Sequence, residues 1–264
     1  MQRKRKAFTL IELLVVIAII ALLIAITIPV LQTTRGNAKT IVCGSNVRQL
    51  QLALRMYEMQ NGTFPSAFDT NGARGVPPGG YSGNSDMLGW WWFDLMADLF
   101  EKKFKRSILW CPARHIRDKT LKPNLLLGNY GVNQAICKGA GGGNDPNVKG
   151  IPLRINQIPR PSQTFVLGDS GYSTILWRYA EEPSSITGTN YYDSAYVPGL
   201  WPKSRGENHR SGTESDALNG RHPKKTVNTG FVDGHVARLK ADDFLVEKVG
   251  GEYKNRSPLW LPKP

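Results

Sequence analysis

The alternation of apolar and polar positions changes character three times along this chain. From Leu13 to Ile28 every residue but Thr27 is apolar, with no polar face at any helical or strand period. Counted from Phe8 to Val30 the segment is 23 residues, roughly 35 Å as an α-helix and enough to cross a bilayer core. A second pattern follows. Val47, Leu50, Leu54 and Tyr57 fall at i, i+3, i+7 and i+10, while Arg48, Gln49, Gln51 and Arg55 lie off that stripe, the signature of an amphipathic helix. Asn61-Gly62 is a helix stop. The two patterns predict one long helix from about Phe8 to Gln60, bent at Pro29, with a transmembrane part over 8–30 and an amphipathic outer half over 31–61.

The third regime, residues 62–264, is short apolar runs between turn residues. Gly72 to Ser85 reads as loop. Trp90-Trp91-Trp92-Phe93 with Leu95, Met96, Leu99 and Phe100 predicts a short helix carrying Trp91, Leu95 and Leu99 on one face. Adjacent helical residues point about 100° apart, so the three tryptophans favour core packing over a flat binding platform. Strands are expected at Ile108–Pro112, Leu125–Leu127, Gln163–Leu167 and within Thr226–Leu239. Asp233-Gly234 between Phe231-Val232 and His235-Val236 predicts a two-residue hairpin turn pairing Val232 with His235 and Phe231 with Val236. Gly139–Gly143 reads as a connector and Glu181–Asn219 as a long polar excursion.

Composition narrows the class. With 41% hydrophobic and 21% charged residues the chain is globular, and 27 Gly with 17 Pro agree with a loop-rich domain. One membrane-length segment excludes a polytopic membrane protein, and three cysteines exclude a disulfide-dense miniprotein. The formal charge is +13; without the four cations of Arg3 to Lys6, 30 positive residues face 21 negative ones, still +9. Those four cations place the N-terminus in the cytoplasm and the rest of the chain beyond the membrane. An ordinary secretory signal would have a shorter core followed by a small-residue cleavage site, whereas here the chain runs through Pro29 into Thr33-Thr34-Arg35.

Glu12 stands out, because a carboxylate inside a membrane helix costs about 2.5–3.5 kcal/mol even on a lenient scale. It either snorkels to the headgroups or has a partner. Its setting, Lys-Arg-Lys-Ala-Phe-Thr-Leu-Ile-Glu followed by the apolar run, resembles the class III signal of type IV prepilins and type II secretion pseudopilins. The resemblance implies cleavage by prepilin peptidase between Ala7 and Phe8, leaving 1–7 as a leader, N-methylation of Phe8, a helix-kinking role for Pro29 and an assembly role for Glu12. Ala7 departs from the glycine usual before the cut, which implies slower processing. The implied fold is α+β and pilin-like, a long N-terminal helix packed on an antiparallel sheet. In a filament the Glu12 carboxylate of one subunit can meet the Phe8 ammonium of the next. At about 4 Å and an effective dielectric near 20 such a pair attracts by roughly 4 kcal/mol.

Later strings are similar to the pilin-like proteins of planctomycete- and lentisphaerae-type bacteria: Cys43-x-x-Asn46-Val47-Arg48-Gln49-Leu50, Met56-Tyr57, Gly62-Thr63-Phe64-Pro65, Trp110-Cys111-Pro112, Asn129 to Asn133, Pro161 to Thr164 with Asp169, and Arg221-His222 before Phe231-Val232-Asp233-Gly234-His235-Val236. That branch places nine residues between the His and Asp-Gly. Ten separate His222 from Asp233, as a longer turn at Pro223-Lys224-Lys225 would require. Asp169, His222, Asp233 and His235 are ligand types for zinc or a harder ion, but no short spacing groups them, and a structural, hydrogen-bonded His222 is the favoured reading; no metal or cofactor is expected. Beyond the membrane a disulfide is permitted: Cys43–Cys111 would pin helix to sheet, Cys111–Cys137 would close a loop, and three buried thiols are the alternative.

The implied function is a structural subunit of a type IV pilus-like filament or type II secretion pseudopilus. It would be a single-pass protein of the inner membrane with its globular part periplasmic or extracellular, and its partners would be prepilin peptidase and other subunits. The alternative is a minor pilin holding DNA or another polyanion on basic residues such as Lys102-Lys103-x-Lys105-Arg106 and Lys224-Lys225. No Gly-x-Ser-x-Gly, His-Glu-x-x-His or P-loop string occurs, so an enzyme is not expected.

Overall fold

The structure, a computed structural model, describes residues 9–69, 90–99, 107–114, 125–126, 128–139, 146–175, 222–224, 226–244, 248–249, 252–253 and 260–262. Its first element is one continuous helix, α1 (Leu10–Asn61). Thr9 begins it in an extended conformation as part of a capping box: its Oγ1 accepts from the Glu12 N–H, and its own N–H donates to the Glu12 carboxylate. This arrangement satisfies amide groups that a helix start otherwise leaves unpaired. At the far end Gly62, left-handed, donates its N–H to the Glu58 carbonyl at 2.8 Å.

The inner part of α1 is uncovered among the described residues, whereas the outer part is packed. Cys43, Val47, Leu50 and Leu54 are buried along one stripe, joined by Thr40, Asn46, Gln51, Ala53 and Glu58. Beyond the helix, β1 (Phe68–Asp69) and β2 (Trp90–Trp91) pair antiparallel, and α2 (Trp92–Leu95) follows directly. The tryptophan run is therefore split, contrary to the helix expected through it: Trp91 is extended and pairs with Phe68, and helix begins only at Trp92. Trp92 is fully buried and its Nε1–H donates to the Ser173 carbonyl at 3.0 Å. Trp91 packs edge-on to Tyr172. The aromatic run is core.

The main sheet has five strands: β3 (Tyr130–Asn133), β4 (Phe165–Asp169), β5 (Thr174–Ile175), β6 (Thr226–Phe231) and β7 (Val236–Lys240), in spatial order β5-β3-β4-β6-β7. All neighbours are antiparallel except β3 and β5, which run parallel. A small ladder, β8 (Lys248–Val249) with β9 (Glu252–Tyr253), comes last. α1 lies on one face of the sheet. Phe165, Val227, Phe231, Phe244 and Trp260 form a second apolar cluster, with Phe165 edge-on to both Phe244 and Trp260. Covered in this way, β3 and β4 are buried at every position.

Two of the expected strands are turns. Ile108, Leu109, Leu125 and Leu126 are buried, yet they sit in turn conformations and plug the core with no partner strand among the described residues. The Asp-Gly hairpin forms with another register. Phe231 is opposite His235, donating its N–H to the His235 carbonyl at 2.9 Å, and Gly230 is opposite Val236. The loop is Val232-Asp233-Gly234, with Gly234 at φ 103° and its N–H on the Phe231 carbonyl. Only the glycine takes positive φ, the pattern of a type I turn followed by a bulge. Val232 cannot serve as a strand residue because it is fully buried and its N–H donates to the Thr164 carbonyl.

Candidate functional site

Two regions carry the candidate residues. The first is the inner half of α1. Leu10, Ile11 and Leu22 are 86%, 75% and 64% exposed, and the whole apolar stretch is uncovered in the single chain. The helix is long and apolar enough to cross a membrane. Glu12 lies in its first turn with Oε2 accepting from both the N–H and the hydroxyl of Thr9 at 2.8 Å. In the free chain the carboxylate is thus held locally, by a contact that involves none of residues 1–7. Ala7 and Phe8 lie outside the described residues.

Pro29 lies inside α1, which continues unbroken on either side. Having no N–H, it leaves the Ala25 carbonyl without its helical donor. The hydroxyls of Thr33 and Thr34 donate back to the Pro29 and Val30 carbonyls at 3.1 and 2.9 Å, so these polar residues are satisfied without any neighbour.

The second region is a buried polar junction where the outer helix meets the centre of the sheet. Asp169 ends β4 and lies beside Asn228 of β6; its Oδ2 accepts from the Asn228 backbone N–H at 2.6 Å and from Nδ2 at 3.0 Å. His222 Nε2 is 2.8 Å from the same oxygen, and Nδ1 is 3.1 Å from Thr40 Oγ1 on α1. A tight turn delivers the histidine: His222 and Thr226 bridge through their backbones, and Lys224 takes φ 62° between them. Cys43 and Cys111 form a disulfide with Cα atoms 5.3 Å apart, at the same junction. Cys137 is a buried free thiol whose pKa is pushed far up by burial.

The four residues considered together as a ligand set are separated into two pairs. Asp169 and His222 meet in the interior, whereas Asp233 and His235 pair with each other on the hairpin, Oδ1 to Nδ1 at 2.6 Å, partly exposed to solvent. His235 also stacks on Phe231 with ring centroids 4.2 Å apart. Sequence reading missed the polar side of the helix face. Asn46 Nδ2 donates to the Trp110 carbonyl and to Tyr130 Oη, Gln51 Nε2 to the Phe231 carbonyl, and Glu58 Oε1 accepts from the Ile155 N–H. The only signal for them was position: each falls beside the apolar stripe, at spacings of five to seven from one to the next.

Comparison with known proteins places the first region. Residues 2–28 match the family model described as the prokaryotic N-terminal methylation motif. The chain is 36% identical over 65 residues to type II secretion system core protein G of Pseudomonas aeruginosa, covering 25% of this chain and 46% of that protein. It is 42% identical over 64 residues to the type IV wide pilus major component of Thermus thermophilus, covering 24% of this chain and 49% of that one. The chain thus spans about half the length of the curated relatives it matches. No solved structure matches. A segment matching the N-terminal methylation motif leads into one long helix laid on a mixed sheet, an α+β arrangement, and the likeness to the pilin and pseudopilin relatives covers about a quarter of the chain. Neither relative lends support to the polyanion-binding alternative, and Lys102 to Arg106 lie outside the described residues.

Proposed function

We propose that the protein is a structural subunit of a pilus-like filament or secretion pseudopilus, cut between Ala7 and Phe8, methylated at Phe8 and assembled through the inner half of α1. The observation that carries this reading is the complete exposure of that apolar half-helix beneath a folded head. Nothing among the described residues covers it, so a bilayer before assembly and neighbouring helices after it are the surroundings that suit it. The cations of residues 3–6 orient the N-terminus toward the cytoplasm, which puts the head on the oxidising side and suits the Cys43–Cys111 bridge. The absence of catalytic strings and the structural roles named for both relatives support a non-enzymatic subunit.

The capping box refines the part played by Glu12. Its carboxylate already accepts two hydrogen bonds from Thr9, so the lone helix can enter a membrane with the charge locally satisfied. Once residues 1–7 are removed, the Phe8 ammonium of an adjacent subunit adds an ionic partner, and assembly strengthens what the cap begins.

Mass spectrometry of the protein from membranes tests the processing step: loss of residues 1–7 and one added methyl group is expected, and an intact Met1 terminus would refute it. Glu12→Ala is expected to leave that processing unchanged while reducing incorporation into filaments about ten-fold or more, the equivalent of losing roughly 1.4 kcal/mol or more of subunit contact. Incorporation equal to the parent chain would remove the assembly role.

A further inference from the structure

The disulfide and the buried His–Asp pair are one cluster. Cys43, Cys111, Asp169 and His222 are all buried, and one ligand atom from each lies within 4.8 Å of all the others. They come from four separate places: the outer half of α1, the turn after Leu109, the end of β4 and the turn before β6. We propose that, when the two cysteines are reduced, these four side chains form a closed, four-coordinate zinc site, and that the disulfide is the metal-free alternative state of the same junction.

Three features support a metal at this place. The first is the donor set: two thiolates, an imidazole and a carboxylate are the ligand types of tetrahedral zinc. Bond lengths of about 2.0–2.3 Å imply ligand separations of roughly 3.3–3.8 Å, so the bonded sulfurs must part on reduction and Nε2 and Oδ2, 2.8 Å apart, must open slightly, while every pair already lies within 4.8 Å.

The second is the hydrogen-bond polarity around His222. Its Nδ1 lies 3.1 Å from the Thr40 hydroxyl and its Nε2 2.8 Å from Asp169 Oδ2, which also receives two N–H groups from Asn228. In the tautomer with the proton on Nδ1, donated to the Thr40 hydroxyl, Nε2 turns its lone pair toward the space that Asp169 Oδ2 also faces, as two ligands of one ion do.

The third is the supporting shell. Thr40 fixes the ring through the nitrogen that would not bind the metal, and Asn228 orients the carboxylate, the arrangement that tunes metal ligands. All four residues are at most 3% exposed, as befits a structural site with no open position.

The two states exclude each other because both use the same sulfur atoms. Metal entry takes one proton from each thiol and leaves both sulfurs as thiolates. Oxidation by a small-molecule disulfide moves two electrons from those thiolates to the acceptor: the Cys43–Cys111 bond forms, zinc leaves as the dication, and the acceptor takes up two protons to become two thiols. The disulfide ties α1 to the turn at Cys111, and the metal would tie both to β4 and the turn before β6 as well, so α1 is cross-linked to the head before and after oxidation.

The test uses the full chain in detergent, reduced, freed of reductant under nitrogen and titrated with Co²⁺ as a spectroscopic stand-in for zinc. One equivalent is expected to produce thiolate-to-cobalt charge-transfer absorption with the intense visible bands of tetrahedral Co²⁺, and one equivalent of Zn²⁺ is expected to abolish them. The oxidised chain is expected to show neither. His222→Ala and Asp169→Asn are each expected to weaken binding by at least the roughly 10–100-fold that loss of a mere supporting contact costs, whereas His235→Ala and Cys137→Ser leave the spectrum unchanged. An octahedral or thiolate-free spectrum from the reduced parent chain overturns the proposal, and so does a spectrum that survives His222→Ala. Because the parent spectrum needs no substitution, the outcome stands even where a variant fails to fold.

Discussion

The two halves of α1 share one backbone conformation and almost nothing else. Around Leu22 the helix is apolar on every side and bare, and among the described residues its side-chain hydrogen bonds run back to its own turns or cap. Around Leu50 it is apolar on one stripe, buried there, and fastened to the head by polar groups that end on backbone atoms of distant segments. The contrast shows that hydrophobicity and contribution to fold stability are separate properties. The oilier half contributes nothing to the packing of the single chain, and its composition answers to surroundings outside it.

Substitutions can break or sharpen that contrast. Cys43→Ser opens a loop of 68 residues between the bridged cysteines, and chain-entropy arguments give a loss of about 4 kcal/mol. The urea midpoint of the head, followed by tryptophan fluorescence in detergent, should fall accordingly. Leu50→Ala, at a position with no exposure, should cost about 3 kcal/mol in the same measurement. Gly230→Ala should cost about 1 kcal/mol, because a Cβ there would stand 2.5 Å from Gln51 Oε1 and push that side chain off the Phe231 carbonyl. Leu22→Ala, in the bare half, should leave the midpoint within about 0.5 kcal/mol. A large shift from Leu22→Ala would erase the distinction between the two halves.

Much of this contrast was legible in the sequence. The unbroken apolar run and the stripe at Val47, Leu50 and Leu54 gave the helix almost to its ends, since both patterns are local and the stop at Gly62 is a local signal. β4, β6 and β7 were legible for the same reason. The apolar runs at Ile108–Leu109 and Leu125–Leu126 misled because burial without a strand partner leaves the same trace as a strand. The Asp-Gly turn was found but its register was not, because Val232 is drawn away by Thr164, far along the chain.

The junction was the least readable part. Asp169 and His222 could be named as ligand types, but they were grouped with Asp233 and His235, which sit nearer in sequence to His222 and far from it in the fold. Cys43 and Cys111 were open to more than one pairing. Nothing in the spacing of positions 43, 111, 169 and 222 announces a cluster, because it exists only once α1 lies across the middle of the sheet. Gln51 lies off the apolar stripe, and its polarity gives no hint that it is buried and donates to the Phe231 carbonyl.

The position of that junction also has a mechanical consequence. Thr40 sits where the rod leaves the head, and it is tied to Asn228 of β6 directly and to Asp169 of β4 through His222, on strands that have neighbours on both sides. Tension along the rod therefore enters the sheet at interior strands, where yielding means shearing a whole ladder at once. Had the tie been made at β5 or β7, the same tug could peel the outermost strand away one hydrogen bond at a time.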